Sequence, residues 1–182
     1  MVIKPGYPAV DFEVHDIFGE RITLRGYRGK RLLLSFYRYA ACPLCNYRME
    51  SLVLMYPRFK RLGLNILAFF QSPRHSILHY VGKQDAPFPI VGDPERAVYR
   101  AYGVEPSLTG ALKGMLRMPT LIRAILRGFK PGRIEGHAAM IPADFLIGPD
   151  LIVQEAYYGK DIGDHMSLNT IERWLRENRK TP

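Results

Sequence analysis

"RLLLSFYRYAACPLCNYRME", residues 31–50, decides the fold. Residues 31–37 form a short apolar run bounded by turn signals, as in a buried central strand. After Cys42 the pattern changes to a helical period. Leu44, Tyr47, Leu52, Met55, Tyr56 and Phe59 fall roughly on one side, and Gly63 supplies a C-terminal stop. Pro57 lies inside this segment and is expected to kink or shorten it. A strand that ends at a cysteine opening a helix brings a thiol to free N–H groups and to the positive end of a helix dipole. A thiolate there has a lowered pKa, and the thiolate is the nucleophile. Pro43 suits the first helical turn. Cys45 follows nearly one turn later, so its sulfur reaches Cys42. Cys42 is therefore read as the attacking thiol and Cys45 as the resolving one. Arg38 is a candidate source of positive potential beside Cys42.

Outward from this unit, strands and helices alternate. Phe12 and Val14, then Ile22 and Leu24, flank "DIFGE" as in a β-hairpin. "LNILAFF", 64–70, reads as a second buried strand, and Ser72–Pro73 as an N-cap with proline in the first turn. "FPIV", 88–91, is a third strand. Asp93–Pro94–Glu95 opens a capped helix carrying Val98, Tyr99 and Tyr102. "ADFLI" and "IVQEAYY" flank "GPDL" as a closing hairpin. A last helix follows, with Asn169 and Glu172 as a capping box. Leu168, Ile171, Trp174 and Leu175 form its buried face, and Arg176, Arg179 and Lys180 suit its C-terminal end. The whole reads as α/β: a mixed sheet with helices on both faces.

Residues 105–138 differ. Between Pro106 and Arg133 stand six cations and no acid (Lys113, Arg117, Arg123, Arg127, Lys130, Arg133). Leu108, Leu112, Met115 and Leu116 are helically spaced, as are Leu121, Ile122, Ile125, Leu126 and Phe129, with Pro119 between. This reads as a helical hairpin inserted into one domain, residues 1–182. Apolar residues at helical spacing are expected to pack on the fold or on a second subunit, leaving the cations as a solvated rim. The lesser alternative, of another class, is a non-enzymatic binding protein that uses this basic insertion on an anionic membrane or on nucleic acid phosphates.

The chain has 182 residues, 47% hydrophobic and 24% charged, with a formal charge of +9. These values fit a globular domain and argue against disorder. No apolar run approaches a membrane span, and "MVIKPGYPAV" lacks the apolar stretch of a signal peptide. Two cysteines make no disulfide scaffold. A cytoplasmic protein whose cysteines do chemistry is the expectation. A zinc site needs about four ligands, and one CxxC supplies two. His75 and His79 are four apart but have no neighbouring acid. No metal and no organic cofactor are implied. Gly163–Asp164–His165 is read as a loop turning the chain toward the last helix. Tyr37, Tyr39 and Tyr47 could shield the thiols or form a homodimer face.

The strand–CxxC–helix unit, with Ile141–Pro142 before the closing hairpin, resembles the thioredoxin superfamily. "PAVDFEVHDIFGERITLRGYRGKRLLLSFYR", "NILAFFQSP", "APFPIVGDPERAVYRAYGV" and "PADFLIGPDLIVQEAYYG" resemble one branch of it, the alkyl hydroperoxide reductase/thiol-specific antioxidant (AhpC/TSA) family of peroxiredoxins and relatives. The resemblance implies a thioredoxin-like fold, with Pro142 cis and lying against the CxxC. It implies a thiol-dependent oxidoreductase acting on peroxide, with protein disulfide reduction as the alternative and an external thiol reductant of thioredoxin or glutathione type. Peroxiredoxins carry P-x-x-x-T-x-x-C; here Tyr39 stands at the threonine position and Ser35 at the proline. The thioredoxin carboxylate position holds Phe36. Arg38 and Arg133 are the candidates for a peroxide-activating arginine.

Overall fold

A computed structural model describes residues 2–178. Arg179 and Lys180, and the side chains of Met115 and Leu116, lie outside the described part. The apolar runs became strands. A five-stranded sheet has the order β5-β4-β3-β6-β7: β3 is Arg31–Phe36, β4 Leu64–Phe70, β5 Ile90–Gly92, β6 Ala143–Ile147 and β7 Val153–Tyr158. β3 pairs parallel with β4 and antiparallel with β6, so it is the middle strand. Leu32, Leu33, Leu34 and Phe36 are all fully buried, as a strand covered on both faces requires. Its buried polar residue, Ser35, stands opposite Asp144 of β6. The first hairpin, β1 (Glu13–His15) with β2 (Arg21–Thr23), forms a separate two-stranded sheet.

Helices cover both faces. Leu33, Tyr37, Ile66 and Leu146 pack with both cysteines under α1 (Pro43–Arg61) and α6 (Leu168–Glu177). Leu32, Leu34, Phe36 and Phe145 pack with Val98, Tyr99 and Tyr102 from and beside α3 (Ala97–Ala101). The remaining helices are α2 (Arg74–Tyr80), α4 (Leu108–Lys113) and α5 (Met118–Leu126).

Several local expectations change. α1 runs on through Pro57. That proline is on the exposed side, where water can solvate the carbonyl it leaves unpaired. Gly63 follows the helix end at φ 80°, the left-handed conformation that suits glycine. Ser72 does not cap α2; its hydroxyl accepts from the Ala40 N–H at 2.9 Å. α6 is capped by Ser167, which accepts from Thr170 N, and not by Asn169. Glu172 instead pairs with Arg58 and Arg176. Asp93 does cap α3, accepting from the N–H groups of Ala97 and Val98, each at 2.9 Å.

The 105–138 segment is not a helical hairpin. α4 and α5 are joined by a 3-10 turn, Gly114–Arg117, with no loop in which the chain could reverse. Nor does the apolar face of α5 pack inward. Its buried residue is the small Ala124, and Leu121 packs partly against the core, while Met118, Ile122, Ile125 and Leu126 face out. Beyond α5, residues 127–139 run without helix or strand as a strap back to β6.

Candidate active site

Cys42 is the N-cap of α1, and Pro43 occupies the first turn. The Cys42 Sγ accepts from the Cys45 backbone N–H at 3.4 Å. The turn that delivers it is pinned from several sides. The Tyr99 hydroxyl reaches the Tyr37 carbonyl at 2.6 Å. Asn46 donates to the carbonyls of Ala40 (2.6 Å) and Cys42 (3.0 Å). Gln84 in turn donates to Asn46 Oδ1 at 2.9 Å. Asn46 shapes the site without having been singled out in the sequence, and Ser72, read there as a helix cap, instead holds the Ala40 N–H. Asn46 carries a signal: a polar side chain on the buried face of α1, one turn after Cys42.

Arg38, only 6% exposed, places Nη1 3.6 Å from the Cys42 sulfur. Its other amino group donates to the Ala138 carbonyl, and its guanidinium carbon lies 5.0 Å from the Tyr39 ring centre. Arg38 Nε has no hydrogen-bond partner among the described residues. Burial pushes the Cys42 thiol up. The Cys45 thiol, the Arg38 charge and the N–H groups of Cys45 and Leu44 outweigh burial and bring its pKa down to about 7. Burial, reinforced by the neighbouring Cys42 anion, holds Cys45 well above the ordinary thiol range. Both thiols are free. One is thus poised as nucleophile, and the other keeps its proton beside it.

The strap closes over this turn. Cys42 is 1% exposed. Gly132 lies so close that a Cβ there would stand 2.8 Å from the Ala41 Cβ. Gly136, at φ 68°, is packed on Gln71. Gln71 ties the strap through His137, donating to its carbonyl at 2.9 Å and accepting its N–H at 3.0 Å. Ser76 donates to Glu135 at 2.5 Å.

Beneath α1 lies a buried polar cluster. Asp144 accepts from Ser35, from the Met166 N–H at 2.7 Å and from His165 Nδ1 at 3.1 Å. Burial pushes this carboxyl up, but His165, Arg48 and Ser35 hold it below the ordinary carboxylate range. The His165 ring lies 4.7 Å from that of Tyr37. Gly163–Asp164–His165 therefore does more than turn the chain. Asp164 also binds Arg117 (2.8 Å) and Tyr157 (2.8 Å).

The other sequence candidates separate. Tyr39 is buried, its ring lying by the Arg38 guanidinium. Arg133 is exposed on the strap, so Arg38 alone of the two arginines reaches the sulfur. Pro142 is buried, but no cis peptide bond occurs among the described residues. The backbone beside it is already occupied. Ile141 N–H bonds to the Glu105 carbonyl at 3.4 Å, Ser107 N–H to the Ala139 carbonyl at 2.9 Å, and the Pro142 carbonyl accepts from Gly159 at 2.9 Å.

A mixed sheet, a cysteine-capped helix and a paired second thiol define a thioredoxin-like dithiol protein. The sequence profile of the AhpC/TSA family matches residues 5–156, and the chain belongs to that family. The "Thiol-disulfide oxidoreductase ResA" of Halalkalibacterium halodurans is 34% identical over 110 residues, 60% of this chain and 62% of that relative. The crystal structure of peroxidoxin BcpB from Mycobacterium tuberculosis superposes with a TM-score of 0.71 at 17% identity, covering 98% of this chain and 99% of that one. Peroxiredoxin Q of Xanthomonas campestris gives 0.67 at 20% identity over 93% and 92%. These structures establish the fold as thioredoxin-like.

Proposed function

We propose that this chain is a thiol-dependent peroxidase that cycles Cys42 and Cys45 between dithiol and disulfide. The observation that carries this reading is the Cys42 sulfur, held by Arg38 at 3.6 Å and only 1% exposed. A small hydroperoxide suits such a covered thiolate better than a folded protein's disulfide does. Cys42 S⁻ attacks the terminal peroxide oxygen, which keeps its hydrogen; the O–O bond breaks, and the alkoxide or hydroxide leaves and takes a proton from solvent. Cys42 is now a sulfenic acid. Cys45 attacks it, water leaves, and the Cys42–Cys45 disulfide forms. An external dithiol, of thioredoxin or glutathione type, returns both sulfurs to thiols. The Arg38 Nε–H, without a partner among the described residues, is suited to bind the peroxide oxygen. A cytoplasmic setting, where thiols are kept reduced, fits this cycle.

Protein disulfide reduction is the second reading, favoured by the likeness to ResA. The backbone bonds of Ile141 and Ser107 speak against it, because they occupy the backbone before Pro142 on which an extended partner could pair. The test measures hydrogen peroxide loss and insulin reduction by the same enzyme with a dithiol reductant. Peroxide turnover abolished by Cys42→Ser, with little insulin reduction, is expected. Rapid insulin reduction without peroxide turnover would reverse the assignment.

A further inference from the structure

α5 is built inside out for a helix lying on a protein surface. Ala124, fully buried, and Leu121 face the fold. The opposite side carries Met118, Ile122 and Leu126, four residues apart in one stripe, with Ile125 beside them. Leu126 is 81% exposed. α4 repeats the pattern: Leu108 and Leu112, again four apart, are both exposed. Soluble surface helices place these residue types inward, and a contiguous exposed apolar patch marks an interaction site.

The charge around the patch selects the occupant. Of the six cations between Pro106 and Arg133, Arg117 pairs with Asp161 and Asp164, and Arg127 with Glu50. Lys113, Arg123, Lys130 and Arg133 have no ion pair among the described residues, and the stretch holds no acid to offer them. A second copy of the chain docked symmetrically here would set these cations against their own counterparts. Nucleic acid would satisfy the cations and leave six aliphatic side chains against a phosphate backbone. An anionic bilayer surface takes both: headgroups meet the cations, and the acyl boundary takes the side chains. Residues 108–126 form a nearly continuous helical run of roughly 28 Å. No helix among the described residues is long and apolar enough to cross a membrane.

We propose that the outer face of α4 and α5 docks the protein in the plane of an anionic lipid surface. The docked face is carried by elements that adjoin the site: α5 packs along α1, and the strap that packs on Ala41 continues from its end.

Vesicle flotation tests this with phosphatidylcholine alone and with phosphatidylglycerol added, at low and high salt. The wild-type protein is expected to float with the anionic vesicles, less so at high salt, and to stay behind with the neutral ones. Arg123→Glu should lower the partition by about fivefold or more, and Ile122→Ser with Leu126→Ser should abolish it. Solvent-facing positions make these variants expected to keep the thermal midpoint and the peroxide rate in solution. Failure of the wild type to float with anionic vesicles would overturn the proposal. So would flotation unaffected by the double variant, or a wild-type dimer in solution that the double variant dissolves.

Discussion

Replacing Arg38 by methionine keeps much of the side-chain volume and removes the charge beside Cys42. A guanidinium and a thiolate 3.6 Å apart attract by about 4–5 kcal/mol at an effective dielectric near 20. The fold lowers Cys42 from 9.0 to about 7, a net gain for the thiolate of about 3 kcal/mol. That net already includes the opposing cost of burial, which the variant retains. Loss of Arg38 is therefore expected to raise the Cys42 pKa by at least about one unit, cutting the thiolate fraction at neutral pH severalfold. The assay is the pH dependence of alkylation by a small haloacetamide, with Cys45→Ser in the background to isolate one sulfur. That substitution removes the Cys45 thiol, itself a cause of the lowering, so each single variant serves as its own reference. The expected profile moves to higher pH in the Arg38→Met background and recovers its full rate in alkali. An unchanged profile would refute the electrostatic reasoning.

Further outcomes follow from the same contacts. Asp144→Ala strands His165 and Ser35 in the core and should cost about 3–5 kcal/mol in urea unfolding. Gly132→Val pushes the strap off Ala41 and Tyr80; faster labelling of Cys42 by a bulky maleimide is the expected sign. Ser167→Ala removes the α6 cap and should cost about 1 kcal/mol, whereas Asn169→Ala should be nearly silent. Because Cys42 has a lowered pKa in the fold, the reduced protein gains stability as pH rises from about 7 toward the unfolded thiol value. That gain disappears as pH falls through about 7, and Cys42→Ser should flatten the slope in denaturant titrations.

The middle of the sheet was legible in the sequence because β3, β4 and β6 are largely buried on both faces. Residues 31–37, 64–70 and 143–147 are mostly apolar runs, interrupted by Arg31, Ser35, Asn65 and Asp144, and such runs have few other homes. The Cys42 cap was legible for a local reason: strand end, cysteine, proline and helical period are consecutive. What sequence could not yield was long-range. Ser72 fits an N-cap locally, and only the fold brings Ala40 to it from 32 residues away. Asp144 meets Ser35 across 109 residues and His165 across 21, and no period connects them. In α5 the periodicity correctly signals an apolar face but not its direction, and the fold buries the small Ala124 in place of the large residues. The strap has no regular period at all; its glycines show their purpose only once Ala41 and Gln71 lie beneath them.

The central claim is that Cys42 attacks peroxide and Cys45 completes the reaction. Its most direct test treats the reduced protein with one equivalent of hydrogen peroxide, blocks free thiols and maps the peptides by mass spectrometry. The account predicts a single cross-linked species joining Cys42 to Cys45, and in Cys45→Ser a sulfenic acid trapped on Cys42. Two unmodified thiols after peroxide has been offered, with the disulfide forming only when a disulfide reagent is supplied, would contradict it.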